Sequence, residues 1–253
     1  MTFKDRFYQS YTSTHVNHRK GEAALERFRE EFGVWEKHFG HLLPRNPEAR
    51  ILDVGCGRGG MVYWLQQRGQ QAAEGVDLSS EQVETARRLG IRNVRQANLS
   101  SYLDSRPAYY DALILRDVVE HFTREEIVNV LELCRRATRP GGSVIVQVPN
   151  AESPFFGRIR YGDFTHELAF TSSSVTQLFN VVGFEDPRVY PTDPAIAVLG
   201  SLGRAALWSA VKTFYRILLY AELGRGQRIL TQGLIAVGRV PAGAGPAGMA
   251  SPS

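Results

Sequence analysis

The chain has 253 residues, of which 43% are hydrophobic and 22% charged, and its formal net charge is +4 at pH 7. This composition is too hydrophobic for a disordered chain, and its 2 cysteines cannot form a disulfide framework or a cysteine-rich zinc site. It excludes the secreted, fibrous and membrane-spanning classes and favours one large α/β domain in a reduced setting. The mild basicity is compatible with an anionic partner but does not indicate nucleic acid.

The first 150 residues alternate predicted strands and helices. Apolar residues at steps of three and four indicate helices, and Gly, Pro and Ser mark where elements begin or end. In chain order the elements are a helix over 21–39, a strand over 50–54, a helix ending near Arg68, a strand near 72–77, a helix from Ser79 or Ser80 to Leu89, strands at 93–97 and 112–115, a helix over 124–138 and a strand over 143–148. This alternation predicts a doubly wound α/β fold with a parallel sheet and right-handed crossovers.

After residue 150 the pattern is less regular. An irregular stretch to about Thr171 precedes a helix near 173–182, a strand near 187–190, an apolar segment over 196–223 and a last strand near 230–240. We expect an N-terminal lid and helix over 1–44, a main domain over 45–240 with the apolar segment as a helical insertion, and a disordered tail over 241–253. The predicted lid contains His15 and His18.

A glycine-rich turn follows the first predicted strand. Gly55, Gly57 and Gly60 satisfy the pattern G-x-G-x-x-G, and Asp77 lies 22 residues beyond Gly55, where it could bind ribose hydroxyls. Proteins that bind NAD and proteins that bind S-adenosylmethionine share this pattern. Asp53, just before the turn, disfavours the pyrophosphate of a dinucleotide and suits a cationic ammonium or sulfonium group. Alternatively, Asp53 only accepts hydrogen bonds from the loop amides.

Five segments resemble the class I S-adenosylmethionine-dependent methyltransferases. They are ILDVGCGRG (51–59), GVDLS (75–79), ANL (97–99), YDALI (110–114) and RPGGS (139–143). The resemblance implies a Rossmann-like sheet of seven strands with helices on both faces, an antiparallel last strand, and S-adenosyl-L-methionine as cofactor. The chain is similar to bacterial O-methyltransferases associated with polysaccharide or glycolipid assembly and to those of the ubiquinone pathway.

The resemblance also implies roles for residues of the cofactor site. Asp53, Gly55, Cys56 and Gly57 would hold the methionine moiety with Arg116 near the same end, Asp77 would bind ribose hydroxyls, Leu78 would pack on adenine, and Asn98, beside Leu99, would accept the adenine amino group. Asn98 stands where the family often has Asp. We expect Cys56 to pack within the loop and Cys134 to be inert in the core.

Two clusters could supply the base that an alcohol acceptor needs. The first contains Glu120 and His121 and follows the fourth strand, at the end of a parallel sheet where ligands bind. The second contains Asp163 and His166 and lies in the irregular stretch, and we expect His166 to be the base. The alternatives are a Glu-His pair that only caps a turn and a solvated loop with local hydrogen bonds.

The remaining histidines and acidic residues do not indicate a metal. No set of His, Asp and Glu has the sequence spacing of metal ligands, although Asp117 could meet Asp163 or His166 in space. We therefore expect no metal. His38 and His41, near the end of the first helix, are expected to be surface groups.

The apolar segment over 196–223 is expected to form an amphipathic helix. One face carries Leu199, Leu207, Ala210, Val211, Phe214, Ile217 and Leu218, and the other carries Arg204, Trp208, Lys212, Tyr215 and Arg216. Three cations make it a poor transmembrane helix. Two interpretations remain: the apolar face packs on the domain with the basic face in solvent, or the helix lies on anionic lipid near a lipid-linked substrate.

The segments YTSTH (11–15) and DFTHE (163–167) are similar to those of bacterial methyltransferases associated with polysaccharide or glycolipid assembly, and this resemblance implies O-methylation of a hydroxyl on a sugar or glycolipid. The expected partner is a small-molecule or glycan acceptor, without nucleic acid, and the expected location is cytoplasmic, with peripheral contact at the inner membrane face if the helix binds lipid. The enzymatic alternative is a quinone or phenol O-methyltransferase. From another class, the alternative is a non-catalytic subunit that binds S-adenosylmethionine.

Overall fold

A computed structural model describes residues 22–195, 200–224 and 229–243. The strands are β1 (Ile51–Val54), β2 (Glu74–Asp77), β3 (Val94–Gln96), β4 (Tyr110–Arg116), β5 (Thr138–Pro149), β6 (Glu185–Pro191) and β7 (Gly233–Arg239). The α-helices are α1 (Glu22–Trp35), α2 (Gly60–Gln67), α3 (Ser80–Arg88), α4 (Leu99–Asp104), α5 (Arg124–Ala137), α6 (Phe156–Arg160), α7 (Ser172–Val182) and α8 (Gly200–Leu223). A π-helical turn (Glu36–Gly40) extends α1, and a 3₁₀ turn (Val119–His121) follows β4.

The strands form one seven-stranded sheet in the order β3-β2-β1-β4-β5-β7-β6. β1 pairs in parallel with both β2 and β4, whereas β7 runs antiparallel to β5 and β6. The predicted fold class and the antiparallel last strand are therefore confirmed. In such a sheet ligands bind where the strand order reverses, at the carboxyl ends of β1 and β4.

Helices cover both faces of the sheet. In β4, Leu113 and Leu115 pack in a buried cluster with residues of α5 and α7, whereas Ala112 and Ile114 pack in a second cluster with residues of α1 and α2. This alternation follows from the two-residue period of a strand. The central strands are thus buried on both sides, so a site can form only at their ends.

Side-chain caps begin several helices. Ser79 accepts a hydrogen bond from the Gln82 amide and begins α3, as predicted. Thr123 and Glu126 form a capping box at the start of α5. These contacts satisfy amides that the first turn of a helix leaves without backbone partners.

Four elements differ from the prediction, and one of them is the short helix α6, which lies in the stretch predicted to be irregular. Asn98 caps α4, a short helix between β3 and β4 that the apolar pattern did not indicate. β5 begins before residue 143, because Tyr110 pairs with Thr138 ahead of a register shift. The first helix is regular only to Trp35 and continues as the π-helical turn.

Helix α8 follows β6 in the chain, where the insertion was predicted, but it contacts the domain through the unexpected face. Trp208 Nε1 and Lys212 Nζ donate hydrogen bonds to Asp193 Oδ1, at 2.9 and 2.7 Å. Leu207 and Phe214 are instead 66% and 58% exposed. The interpretation that the apolar face packs on the domain is therefore wrong, because the partly buried Asp193 needs donors and the basic, aromatic face supplies them.

The structure does not describe some of the segments for which predictions were made. The predicted lid with His15 and His18, residue Leu199, and residues 244–253 of the tail lie outside the described residues. Each helix in the described part of the chain is too short or too polar to span a lipid bilayer.

Candidate active site

Two cavities meet at the carboxyl end of the sheet. A groove of about 300 Å³ follows the ends of β1 and β2, and a cavity of about 640 Å³ lies beyond the end of β4. Asp117 and His121 line both of them. A molecule in the groove can therefore lie next to a molecule in the cavity.

The loop after β1 forms part of the groove with its backbone. Gly55 has a φ of +67°, and a Cβ at this position would lie 2.6 Å from Val118 Cγ2. Glycine alone tolerates both the conformation and the close approach. The amides of Gly55 and Cys56 donate to the Val76 carbonyl, which ties the loop to β2.

Asp77 ends β2 and lines the groove. Its Oδ2 accepts from the Gly57 amide and its Oδ1 from the Ser79 amide, both at 2.8 Å. Burial raises the pKa of Asp77, and hydrogen bonds from the backbone amides of Ser79, Gly57 and Leu78 oppose that rise. A carboxylate has further acceptor sites beyond these, so the position of Asp77 suits the predicted contact with ribose hydroxyls.

Another part of the groove is apolar. Leu78 is 55% exposed, and Leu99, Val118 and Phe122 line the same groove. Apolar surface in a groove suits a flat ring such as adenine. The predicted packing of Leu78 on adenine is compatible with this arrangement.

Asn98 lines the groove and also caps α4. Its Oδ1 accepts from the amides of Ser100 and Ser101, at 3.0 and 3.4 Å. The predicted contact with the adenine amino group would share Oδ1 with these amides, and it stays a prediction.

Gln82 is a residue of the groove that the motifs did not indicate. It is 7% exposed, and its Oε1 has no hydrogen-bond partner among the described residues. A buried acceptor without a donor fits a ligand that supplies one. S-adenosylmethionine carries hydroxyl and amine donors, so Gln82 and the backbone cradle at Gly55 fit it. The sequence signal for Gln82 was its place in the first turn after the Ser79 cap.

Asp53 and Arg116 lie near the ends of β1 and β4. Asp53 is 3% exposed, and burial raises its pKa to about 7, which Arg116 opposes and Asp77 reinforces. Arg116 lines the larger cavity, and its buried Nε has no hydrogen-bond partner among the described residues. Asp53 does not line either cavity, so its contact with the methionine end of the cofactor stays a prediction.

Both cysteines are buried and free. Burial raises the pKa of the Cys56 thiol well above its ordinary value and that of Cys134 to about 12. A Cβ at Gly75 would lie 2.7 Å from Cys56 Cβ, which shows how tightly the loop packs there. A protonated thiol is a weak nucleophile, so both residues are compatible with the predicted packing roles.

The larger cavity is lined largely by polar side chains from separate parts of the chain. They include His38 beyond α1, Arg116, Asp117, Glu120 and His121 after β4, Gln147 in β5, Asp163 and His166 in the loop after α6, and Thr192 and Gln232 beside the last two strands. The two clusters predicted from the sequence therefore meet in one cavity.

The rings of His121 and His166 contact each other edge to face, with centres 4.7 Å apart. His166 Nδ1 donates to the Ile159 carbonyl at 2.9 Å. His121 Nδ1 lies 2.9 Å from Thr165 Oγ1, and that hydroxyl donates to Asp163 Oδ1 at 2.6 Å. Each ring is thus oriented by a contact at Nδ1, which determines where its Nε2 points.

Glu120 lies beside this histidine pair. Its Oε1 is 3.9 Å from His166 Nε2. Burial raises the pKa of Glu120 well above its ordinary value, and the charge of Asp117 adds to the rise. Burial, with a smaller contribution from His166, lowers the pKa of His121 to about 4. His121 is therefore a neutral imidazole at pH 7 and a weak base.

Backbone hydrogen bonds hold the loop that carries His166. The amides of Glu167 and Leu168 donate to the Glu120 carbonyl, at 2.7 and 3.1 Å. The Arg160 guanidinium donates to the carbonyls of His166 and Glu167. These hydrogen bonds attach the loop to the turn after β4 and to α6.

His38 is buried, which corrects the expectation that it is a surface group. It is 8% exposed and lines the larger cavity, and its Nε2 lies 2.9 Å from the Asp193 carbonyl oxygen. Burial lowers the pKa of His38. A regular helical wheel does not anticipate this orientation, because His38 lies in the π-helical turn. His41 is exposed, as predicted.

Comparisons with known proteins agree with the motifs. Residues 51–142 match a family described as a methyltransferase domain. The ubiquinone biosynthesis O-methyltransferase of Idiomarina loihiensis is 24% identical over 153 residues, which are 54% of this chain and 62% of that protein. The trans-aconitate 2-methyltransferase of Pseudomonas paraeruginosa is 38% identical over 112 residues, which are 44% of this chain and 39% of that protein. The chain thus spans less than two thirds of either relative.

A solved structure is similar over most of its length. The SAM-dependent methyltransferase from Archaeoglobus fulgidus has a TM-score of 0.60 and 21% identity, over 92% of this chain and 99% of that one. At this identity the similarity concerns the fold. The site of this chain must therefore be interpreted from its own residues.

Proposed function

The chain carries a class I S-adenosylmethionine-dependent methyltransferase domain, and on this premise we propose that it transfers the methyl group of S-adenosylmethionine to a hydroxyl oxygen of a small acceptor. The observation that carries the proposal is the junction of the two cavities, since Asp117 and His121 line both the groove and the larger cavity. An acceptor in the cavity can approach the sulfonium end of a cofactor in the groove. Methyl transfer requires such an approach, and positioning supplies much of its rate.

The proposed catalytic domain covers 45–240, and its groove holds the cofactor. Asp77 binds the ribose hydroxyls, Leu78 packs on adenine, and Asp53 with Arg116 and the glycine loop holds the methionine end. The new C–O bond forms as the C–S bond to the methyl group breaks. The products are the methylated acceptor and S-adenosylhomocysteine.

His166 is the proposed acceptor of the hydroxyl proton. Its Nδ1 donates to the Ile159 carbonyl, so Nε2 carries the lone pair of the neutral ring. His121 is the weaker candidate, because burial lowers its pKa to about 4. Asp163 contacts His121 through Thr165 and is a positioning residue.

Replacing His166 tests this role. General-base catalysis contributes about 10²–10⁴ in rate, so His166→Ala should lower kcat by that range and leave the cofactor Kd within about twofold. The exposed His41→Ala is the matched control and should retain kcat. An H166A protein that binds cofactor and keeps wild-type turnover contradicts the assignment.

The acceptor is proposed to be a sugar or glycolipid hydroxyl. Polar groups such as Asp117, Gln147 and Thr192 line the larger cavity, and they suit a molecule with several hydroxyls. A quinone or phenol is the second candidate, because the similar protein of Idiomarina loihiensis is described as a ubiquinone biosynthesis O-methyltransferase.

A screen distinguishes these acceptors. The protein is incubated with methyl-labelled S-adenosylmethionine and separate pools of sugar nucleotides, glycolipids and phenols, and each pool is analysed for a mass shift of one methyl group. Transfer to the sugar or glycolipid pools supports the first class, and transfer to phenols alone supports the second. Cofactor binding with no transfer to any pool supports a non-catalytic binding subunit instead.

We also propose peripheral contact between α8 and the cytoplasmic face of a membrane. Leu207 and Ile217 are 66% and 63% exposed, and Arg204 on the same helix is exposed. An exposed apolar face flanked by cations suits an anionic lipid surface.

Vesicle co-sedimentation tests this contact. Binding should require anionic lipid and should decrease when Phe214 and Ile217 are both changed to Ser. Val181→Ser is the control, since Val181 is 70% exposed on α7. Sedimentation that is independent of anionic lipid, or equal in all variants, argues against the contact.

A further inference from the structure

Glu120 carries a carboxyl group that is buried and makes no hydrogen bond among the described residues. It is 0% exposed, and neither Oε1 nor Oε2 has a hydrogen-bond partner among the described residues. A buried carboxylate is strongly unfavourable unless it is paired with a cation or donor. The fold nevertheless keeps Glu120 in place, because its backbone carbonyl accepts from the amides of Glu167 and Leu168.

The Nε2 atom of His166 lies close to this carboxyl group and is an acceptor when the ring is neutral. His166 Nδ1 donates to the Ile159 carbonyl at 2.9 Å, so Nε2 carries the lone pair. This Nε2 lies 3.9 Å from Glu120 Oε1. Two acceptor atoms facing each other at this distance are stabilised by a positive charge between them.

His121 has the same polarity at its Nδ1. The Thr165 hydroxyl donates to Asp163 Oδ1 at 2.6 Å, so its oxygen accepts from His121 Nδ1 at 2.9 Å. Nε2 is then the nitrogen that carries the lone pair in the neutral ring of His121. Ligand atoms of Glu120, His121 and His166 lie within 4.8 Å of one another.

We infer that Glu120, His121 and His166 form a binding site for one divalent transition-metal cation at the edge of the larger cavity. Two imidazoles and one carboxylate suit Zn²⁺, Mn²⁺, Fe²⁺ or Co²⁺ better than Mg²⁺ or Ca²⁺. Atoms that share such a cation lie about 2.0–2.2 Å from it and, in tetrahedral geometry, about 3.4 Å from one another, so the three ligand atoms would move closer together on binding. The contacts from Thr165 and Ile159 to the two Nδ1 atoms are the outer contacts typical of metal-bound histidines.

Sequence spacing did not indicate this site. Glu120 and His121 are adjacent in a 3₁₀ turn, and His166 comes from a distant loop. The three side chains converge because the loop is anchored on the Glu120 carbonyl. The expectation of no metal is thus replaced by a proposed site.

The chemical role of the cation rests on the proposed methyl transfer, whereas its binding does not. Glu120, His121 and His166 line the cavity proposed for the acceptor. A cation there would favour loss of a proton from a hydroxyl bound to it. With the cation bound, the hydroxyl proton would leave to solvent and His166 would hold the cation, whereas in the metal-free protein His166 stays the proposed base. In both cases the C–O bond forms as the C–S bond breaks.

Cobalt binding tests the site directly. Protein treated with a chelator is titrated with Co²⁺, and visible absorption is recorded, because Co²⁺ reports nitrogen ligation by its colour. We expect one equivalent per chain and at least about tenfold weaker binding in Glu120→Gln and His166→Gln. His41→Gln, an exposed histidine variant, should bind like the wild type.

The outcomes separate this inference from the proposed function. Absence of a saturable equivalent in the wild type, or equal binding in Glu120→Gln and His166→Gln, overturns the metal site. The His166 side chain is 10% exposed, more than that of Glu120 at 1%, so H166Q is the second variant if Glu120→Gln does not fold. If the wild-type protein transfers the methyl group but shows no saturable Co²⁺ binding, the proposed function stands and the metal site is rejected. Saturable cobalt binding without transfer to any pool would do the reverse.

Discussion

At the scale of single residues, several buried ionisable groups lie at or near the candidate site. Burial raises the pKa of Asp53 to about 7, raises the pKa of Glu120, and lowers the pKa of His121 to about 4. In each case burial favours the neutral form of the side chain, so these groups add little to the folding stability of the ligand-free protein. Such groups are typical of sites where a ligand supplies the missing partner.

Asp53 should make the stability of the cofactor-free protein depend on pH. Its pKa is raised from 3.8 to about 7, so the folded state binds the proton more tightly than the unfolded state and stability falls as pH rises from about 4 to about 7. Relative to Asp53→Asn, the wild type should lose on the order of 1–3 kcal/mol over that interval, since one pKa unit corresponds to about 1.4 kcal/mol.

Denaturant unfolding at pH 5 and pH 8, without cofactor, measures this difference. The comparison with Asp53→Asn removes the contribution of other groups that titrate in the same range. Equal changes in the two proteins would show that Asp53 does not hold a raised pKa.

Gly55 should be intolerant of a side chain for two separate reasons. Gly55→Ala places a Cβ at positive φ and within 2.6 Å of Val118 Cγ2. We expect a loss of about 2–4 kcal/mol in unfolding free energy, from backbone strain and overpacking together, and weaker cofactor binding. Gly69→Ala is the matched control, because Gly69 also has a positive φ but a Cβ added there would have nothing within 4 Å. Equal destabilisation in the two variants would mean that the close approach to Val118 contributes nothing.

At the scale of elements, one carboxylate determines how α8 contacts the domain. Asp193 accepts from Trp208 and Lys212 of α8, and its backbone carbonyl lies 2.9 Å from His38 Nε2. Burial opposes ionisation of Asp193, but the hydrogen bonds from Lys212 and Trp208 outweigh it and lower the pKa. The segment after β6 therefore connects α8 to the wall of the larger cavity.

Asp193→Asn should loosen α8 without unfolding the domain. Loss of the charge-assisted contacts should destabilise the docked helix by about 1 kcal/mol and increase hydrogen exchange in 200–223, whereas amides of β1 and β4 should remain protected. Asp186→Asn is the control, because Asp186 pairs with Arg188 at an exposed position and such pairs contribute little. Unchanged exchange in Asp193→Asn would assign the docking of α8 to other contacts.

At the scale of the whole molecule, cofactor binding at the glycine loop should stabilise the folded state of the domain. A ligand that binds only the folded state stabilises it by about 2.7 kcal/mol at 100 times its Kd. S-adenosylmethionine should therefore raise the Tm by several degrees, and NAD should not, because Asp53 lies next to the loop that would hold a pyrophosphate. A Tm increase with NAD alone would contradict the cofactor assignment.

The local parts of this protein follow from the sequence by itself. The strand–helix alternation, the Ser79 cap and the glycine loop depend on residues close together in the chain, so periodicity and motifs were sufficient to predict them. The short helix α4 was missed although Asn98 is a regular cap, because its six residues are too few to show an apolar period.

The contacts between distant parts of the chain were decided only by the tertiary structure. Glu120 and His166 meet because a loop after β5 is anchored on the 3₁₀ turn after β4, and α8 turns its apolar face outward because Asp193 binds the other one. Residue type alone does not show which charged side chains contact each other, because these contacts depend on where each loop lies relative to the sheet. The sequence by itself determined the fold and the cofactor groove, whereas the tertiary structure decided the proposed metal site and the exposed face of α8.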